Sequence, residues 1–305
     1  LVEELSVGAR HACAVGQFQG GRSIVCWGDN TEAALGQAGN AGADGALVVP
    51  NLDANLVDDV DAIACAGDNS NYITCAHSNG ETWCFGNGVA GYDSKNARPV
   101  RFEIFDTATA LFASPHAICA RVGSDIVCTQ TDARFHSMTG CADGETCAAL
   151  SGAVAFSISD ENTCTVSAAQ VVQCSGDNSF GVVNPDVLSE GDLAFLDVGP
   201  GSRVAVGSQY ACAIGVGDAL ECWGRDIEFS TGRSGGDSQL NSCETTALCQ
   251  AVLTVPTPQP FTLFQAVAAK NDGACALEAE GHVVCWGDQV DIENGAPAIE
   301  IPLAP

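Results

Sequence analysis

Val7-Gly8-Ala9-Arg10-His11-Ala12-Cys13-Ala14-Val15, followed by Ile24-Val25-Cys26-Trp27-Gly28-Asp29-Asn30, decides the fold. Its two cysteines flank a segment with the length and turn residues of a β-hairpin. The arrangement returns as Cys75 with Cys84, Cys119 with Cys128, Cys164 with Cys174, Cys212 with Cys222 and Cys275 with Cys285. Residues that face each other across an antiparallel hairpin have numbers summing to twice the turn centre. Cys75 and Cys84 then centre on Asn79-Gly80, the strongest two-residue type I′ signal. Cys119 and Cys128 centre on Gly123-Ser124, a type II′ turn, and Cys275 and Cys285 on Ala279-Glu280-Gly281, whose glycine suits an αL position. Cys13 and Cys26 centre between Gln19 and Gly20, and Cys212 and Cys222 on Gly217. Cys164 and Cys174, centred on Ala169, lack turn chemistry. Facing positions have Cα atoms roughly 4.5 to 5.5 Å apart, within reach of a disulfide. Six cross-strand disulfides follow, one per repeat.

The cysteine count fits an oxidising compartment. Seventeen cysteines in regular pairs belong there, whereas structural zinc prefers closely spaced C-x2-4-C knuckles. Cys141 with Cys147 and Cys243 with Cys249 enclose short polar segments and read as loop staples. Cys65 is left over as a free thiol; it stands two residues before Gly67, where Ser6 precedes Gly8 and Ala205 precedes Gly207, and reads as small and buried. No run of 18 apolar residues and no leader is seen, so the chain from Leu1 reads as the mature part of an exported protein.

With 46% hydrophobic residues, 305 residues are enough for a sizeable core. Eleven basic residues against 38 acidic ones give a formal net charge of −27, and Lys95 and Lys270 are the only lysines. Such a surface repels phosphate backbones and anionic lipid. It argues against nucleic acid and membrane insertion and suits a basic protein, a cation or plain solubility.

Aligned on its cysteines, each unit is a small residue and turn, an apolar strand, a hairpin and a second strand ending in Cys-Trp-Gly or a variant. Val206-Gly207-Ser208-Gln209-Tyr210-Ala211-Cys212-Ala213-Ile214 with Cys222-Trp223-Gly224, and Ala274-Cys275-Ala276-Leu277 with Val284-Cys285-Trp286-Gly287-Asp288, repeat the opening motif. These motifs resemble the regulator of chromosome condensation repeat family, and in particular its secreted bacterial, disulfide-containing branch, in which H-x-C-A-[LV] and V-x-C-W-G-x-N recur. The likeness spans almost the whole chain and weakens at Cys128-Thr129 and at Cys174-Ser175-Gly176-Asp177-Asn178. It implies an all-β fold, a single β-propeller over residues 1–305 with four-stranded blades.

First-cysteine spacings are 62, 44, 45, 48 and 63 residues, and the distance back around a ring is 43, from the positions of Cys13 to Cys275 in a 305-residue chain. Six blades follow; the family's best-known members have seven, which stands as the alternative. Pro297-Ala298-Ile299-Glu300-Ile301-Pro302 resembles the strand that opens each unit, so the two chain ends are expected to share one blade and close the ring. The extra length falls at 34–52 and 225–261, as loop insertions.

No local acid, base or nucleophile constellation, G-x-S-x-G elbow, P-loop or H-E-x-x-H is present, and no cofactor is implied. Asp58-Asp59 with Asp61, and the turns Asp29-Asn30 and Asp177-Asn178, offer oxygen ligands for Ca²⁺, but none has the spacing of an EF-hand loop; calcium stands as a minor alternative partner. Trp27, Trp223 and Trp286 hold equivalent places beside their disulfides and read as packing residues. What remains is surface. Tyr92, Arg134, Phe135, His136, Phe180, Arg225 and Phe229 follow the second cysteines of their blades and are the residue types that anchor interfaces; tucking beneath the loop is the competing reading for each. The function expected is a secreted or cell-surface, non-catalytic propeller that binds another protein. A structural subunit of an extracellular appendage or coat, bound to copies of itself through Cys65 or the insertions, is the first alternative, and an extracellular polymer-degrading enzyme the second.

Overall fold

Each cysteine hairpin becomes the middle pair of a four-stranded antiparallel sheet. The computed structural model describes residues 2–8, 10–18, 21–37, 43–48, 60–67, 71–93, 97–130, 135–136, 139–159, 161–178, 182–183, 194–196, 203–215, 220–224, 253–254, 263–270, 273–287 and 299–301. The first sheet is β1 (Val2–Val7), β2 (His11–Phe18), β3 (Gly21–Gly28) and β4 (Ala43–Val48). The second is β5 (Val60–Gly67), β6 (Tyr72–Ser78), β7 (Glu81–Phe85) and β8 (Val100–Arg101), and the third β9 (Ala108–Ser114), β10 (Ala117–Val122), β11 (Asp125–Thr129) and β12 (Glu145–Thr146). The fourth is β13 (Ala153–Ile158), β14 (Asn162–Ser167), β15 (Val172–Gly176) and β16 (Ala194–Leu196). The fifth is β17 (Arg203–Val206), β18 (Tyr210–Ile214), β19 (Leu220–Gly224) and β20 (Leu253–Thr254), and the sixth β21 (Phe264–Lys270), β22 (Gly273–Glu278), β23 (Val283–Gly287) and β24 (Ile299–Ile301).

All six hairpin pairs face each other in register and are bridged, with Cα separations of 4.0 to 4.1 Å. The hairpin strands are buried on both faces, as in β18 and β22. A strand covered on both sides reads as a continuous apolar run rather than an alternation, and the Ala, Cys and Val of these segments supply one. Their small volumes let neighbouring sheets approach. Cys13, Val15, Ile24 and Cys26 share one buried cluster with Ile63, Cys65 and Phe85 of the second sheet. Ile214 and Cys222 likewise share one with Ala276, Val284 and Trp286 of the sixth. Each fully buried aliphatic side chain contributes roughly 1.5–3 kcal/mol.

The described chain falls into two compact units, Leu1–Ser151 and Gly152–Pro302, each holding three sheets. Within a unit the first strand of one sheet packs on the first strand of the next: β1 on β5 and β5 on β9, then β13 on β17 and β17 on β21. This is the stacking of propeller blades, with the first strand innermost and the fourth outermost.

The expected sharing of one blade by the two chain ends is corrected. β1 already completes a sheet of its own, with Ser6 facing Cys13. β24 pairs with β23 as the fourth strand of the sixth sheet, Ile299 facing Cys285. That register recurs: the second cysteine faces the fourth strand at Cys26–Val48, Cys84–Val100, Cys128–Glu145, Cys174–Ala194 and Cys222–Leu253. The C-terminal segment resembles an opening strand in composition, but its distance from Cys285 gives it the place of a closing one.

Candidate interaction surface

Two ends of the sheets are available for binding, and each is built by a recurring device. At the end that follows the second cysteine the chain turns sharply through glycine. Gly224 has φ +103°, and a Cβ there would lie 2.6 Å from the Gln209 carbonyl oxygen, so only glycine fits. The next residue reaches back to the opposite strand: Asp29 N donates to Arg10 O at 2.8 Å and Asp177 N to Glu161 O at 3.1 Å. The following asparagine then caps the loop. Asn30 Oδ1 accepts from Leu35 N, and Asn178 Oδ1 from Val183 N, both at 2.9 Å. Asp29 is used as well. Partial burial works to raise its carboxyl, but hydrogen bonds from the Thr31 hydroxyl and amide, and Arg10 beside it, outweigh this and hold it below the ordinary carboxylate value. The Asp29 and Asn30 oxygens offered to Ca²⁺ are therefore engaged by the protein's own donors. Asp58 and Asp59 lie outside the described residues, among which no three His, Cys, Asp or Glu side chains are grouped to hold a metal ion.

Of the seven residues expected on this end, Arg134, Phe180, Arg225 and Phe229 lie outside the described residues. Tyr92 is half-buried against the cores that the second sheet shares with the first and the third, and its hydroxyl donates to Ala33 O at 3.1 Å. His136 is exposed, with Nδ1 3.1 Å from Cys141 O, in a loop stapled by the Cys141–Cys147 disulfide. Phe135 is corrected: its ring is 0% exposed and cannot meet a partner. In a chain poor in aromatics, such a ring is the largest apolar volume at hand to cover a sheet end. The Cys243–Cys249 staple, nine of the residues 34–52 and all of 225–261 except Leu253 and Thr254 also lie outside the described residues.

Sequence reasoning missed the polar latches between sheets. Ser6 Oγ accepts from Cys65 N at 2.7 Å, and Ser157 Oγ from Val206 N at 3.1 Å. Both serines face the first cysteine of their hairpins, so alignment at that position would have shown them. Two residues before the first cysteine sits a second latch. Tyr210 donates to Gly273 O at 2.6 Å. His11 Nε2 lies 2.8 Å from Thr74 Oγ1, whose proton goes to Ala34 O, so Nε2–H is the donor. Burial pushes this imidazole down to about 4, against smaller upward pulls from the Ile73 backbone and Asp29. Trp223, wholly buried, donates from Nε1 to Val182 O at 2.9 Å. Cys65, the one free cysteine among the described residues, is buried, and burial lifts its thiol to about 12.

At the hairpin end every described innermost strand but one begins with a bulge, leaving Glu3, Asp61, Thr109, Val154 and Gln265 exposed in five sheets. Arg22 joins two of them, 2.8 Å from Glu3 and 3.4 Å from Asp61, and donates to Val60 O. Arg101 bridges Glu81 at 3.1 Å and Asp106 at 2.7 Å.

Solved structures share this architecture. Prp20p from Saccharomyces cerevisiae, described with its binding properties to Gsp1p and histones, matches with a TM-score of 0.60 at 17% identity, over 94% of this chain and 72% of that one. Yeast RCC1 (Prp20) bound to Kap60 matches at 0.59 and 17%, over 94% and 70%. Human WBSCR16 matches at 0.63 and 13%, over 97% and 77%. At such identities the likeness shows the fold alone, a β-propeller. No protein-family model matches the chain, and no curated protein matches it by sequence.

Proposed function

We propose that this chain is an exported, non-catalytic propeller that binds another protein through the loops at its sheet ends. The observation that carries the reading is the bridging of every sheet by its own buried disulfide. Such pairs persist in secreted, periplasmic or surface-exposed proteins and not in a reducing cytosol. Protein binding is supported by Prp20p, which binds Gsp1p and histones and is solved with Kap60. The acidic surface adds a preference for basic partners. Self-assembly through Cys65 has lost its support, because that thiol is buried within the first and second sheets. No helix among the described residues is long and apolar enough to cross a membrane.

The test is capture on the oxidised, immobilised chain from the native medium and cell-surface fraction. A saturable protein partner released by salt is expected. Retention of no protein, or release of product by the chain alone from extracellular polysaccharide or protein, would overturn the reading.

A further inference from the structure

The six repeats act as controls for one another, and the fourth departs from the rest. At the bulge of the innermost strand the described sheets carry Glu3, Asp61, Thr109 and Gln265, but the fourth carries Val154, 40% exposed. Three residues before the second cysteine stand Ser23, Glu81, Asp125 and His282, with Ala219 in the fifth repeat, but the fourth sheet has the larger Val171, 39% exposed. The two valines flank Ser167: Ala153 pairs with Ser167 across the bulge, and Ser167 N donates to Val171 O at 3.0 Å. Between them Ala168 and Ala169 are also exposed. No charged residue occurs from Thr146 to Ser159 or from Asn162 to Gly176, in a chain that is 16% charged.

This is also the hairpin whose sequence has no turn residue. The turn forms by placing Gln170 at φ 63°, a left-handed conformation that glycine or asparagine adopts more cheaply. Its backbone is nonetheless closed: Gln170 N donates to Ser167 O at 2.8 Å and Val171 N to Ser167 Oγ at 3.2 Å. A fixed, uncharged, apolar tip maintained against local turn preference is a departure of the kind found at functional positions.

We propose that the hairpin end of the fourth sheet, Val154 with Ala168, Ala169 and Val171, is the docking point for a protein that presents apolar side chains within a basic surround. The inference rests on the protein-binding reading and gives it a place and a partner chemistry. Charge selects the occupant. A net −27 drives copies of this chain apart and draws a basic polypeptide in, while the tip supplies apolar contact without desolvating a carboxylate.

The test uses the whole oxidised chain and the substitutions Val154→Asp with Val171→Glu, residues the second sheet already carries at those positions. Val154→Thr with Val171→Ser, as in the third and first sheets, is the milder pair. Probes are a labelled peptide with a Leu-Trp-Leu centre between lysines, its counterpart with a serine centre, and its counterpart with glutamates for lysines. Anisotropy is read at about 50 and 300 mM salt, spanning weak and strong screening. The lysine–Leu-Trp-Leu peptide is expected to bind wild type best, weaken with salt and lose about tenfold or more in affinity to the acidic pair, with unchanged thermal melting. Binding that survives both variant pairs overturns the placement and leaves protein binding standing. Equal binding of the glutamate peptide, or no binding of any peptide, overturns the partner chemistry, and the capture experiment above then decides the wider reading. A wild-type dimer in sedimentation that the acidic pair dissolves names a second copy as the occupant and overturns the proposal.

Discussion

The junction between the first and second sheets and the junction between the fifth and sixth are built on one plan with different chemistry. Two residues before the first cysteine, His11 in one and Tyr210 in the other reach into the next sheet, to Thr74 and to Gly273 O. Tyr210 sits among Ile214, Ala276, Val284 and Trp286. His11 is itself only 1% exposed, in a junction that also buries a free thiol and the Ser6 latch. The same latch can be made with a group that titrates in mild acid or with one that does not. The first junction is therefore a place where acid enters the stability of the fold.

The largest effect is expected from the apolar junction. Tyr210→Ala removes a wholly buried ring and should cost about 3–5 kcal/mol, whereas Tyr210→Phe keeps the ring and should cost about 1 kcal/mol. Denaturant midpoints measure both, and near-equal losses would show that the hydrogen bond rather than the packing dominates.

The second effect is the acid sensitivity of His11. Its folded value of about 4 lies below the ordinary 6.5, so the folded state favours the neutral ring. The stabilisation is complete above pH 6.5 and is lost as pH falls toward 4, a change of about 3 kcal/mol. His77, lowered mainly by burial, adds in the same direction. His11→Asn, the residue the fourth repeat carries as Asn162, should flatten most of this slope; a melting curve with the same pH dependence in both proteins would place the acid sensitivity elsewhere.

A third effect distinguishes inner strands from outer ones. Deleting residues 296–305 removes β24, the outermost strand of the sixth sheet, and should lower stability by about 1 kcal/mol with cooperative unfolding retained. Loss of the folded state on that deletion would mean that the terminal residues do more than edge one sheet. The smallest effect on stability is a chemical one. Native Cys65 should resist thiol reagents at pH 8, since it is buried with its thiol at about 12, and after denaturation without reductant one thiol per chain should react if Cys243 and Cys249 pair as the sequence leads one to expect.

The hairpins were legible because cysteine spacing and turn residues describe a purely local geometry. Asn79-Gly80 and Gly123-Ser124 each take the turn expected of them, with Asn79, Gly80 and Gly123 at positive φ. Strand membership at the chain ends was not legible, because Ile299–Ile301 has a composition that suits an inner or an outer strand, and only its register with Cys285 decides. Burial of Phe135 was equally hidden, since whether a loop aromatic faces water depends on where its loop folds. The apolar fourth tip was present in the sequence as the hairpin without turn chemistry, a mismatch that only comparison with the other sheet ends makes informative.

Every hairpin bridge joins neighbours in one hairpin, and the Cys141–Cys147 bridge likewise closes a short segment, so none of the described bridges ties one sheet to another. An oxidised chain that loses its packing keeps six hairpins already in register. Its route back is a matter of stacking prefabricated pieces rather than finding long-range strand partners, the step that makes β topologies slow. Pairing of near neighbours can also be completed segment by segment, before the distant sheets form to compete for it.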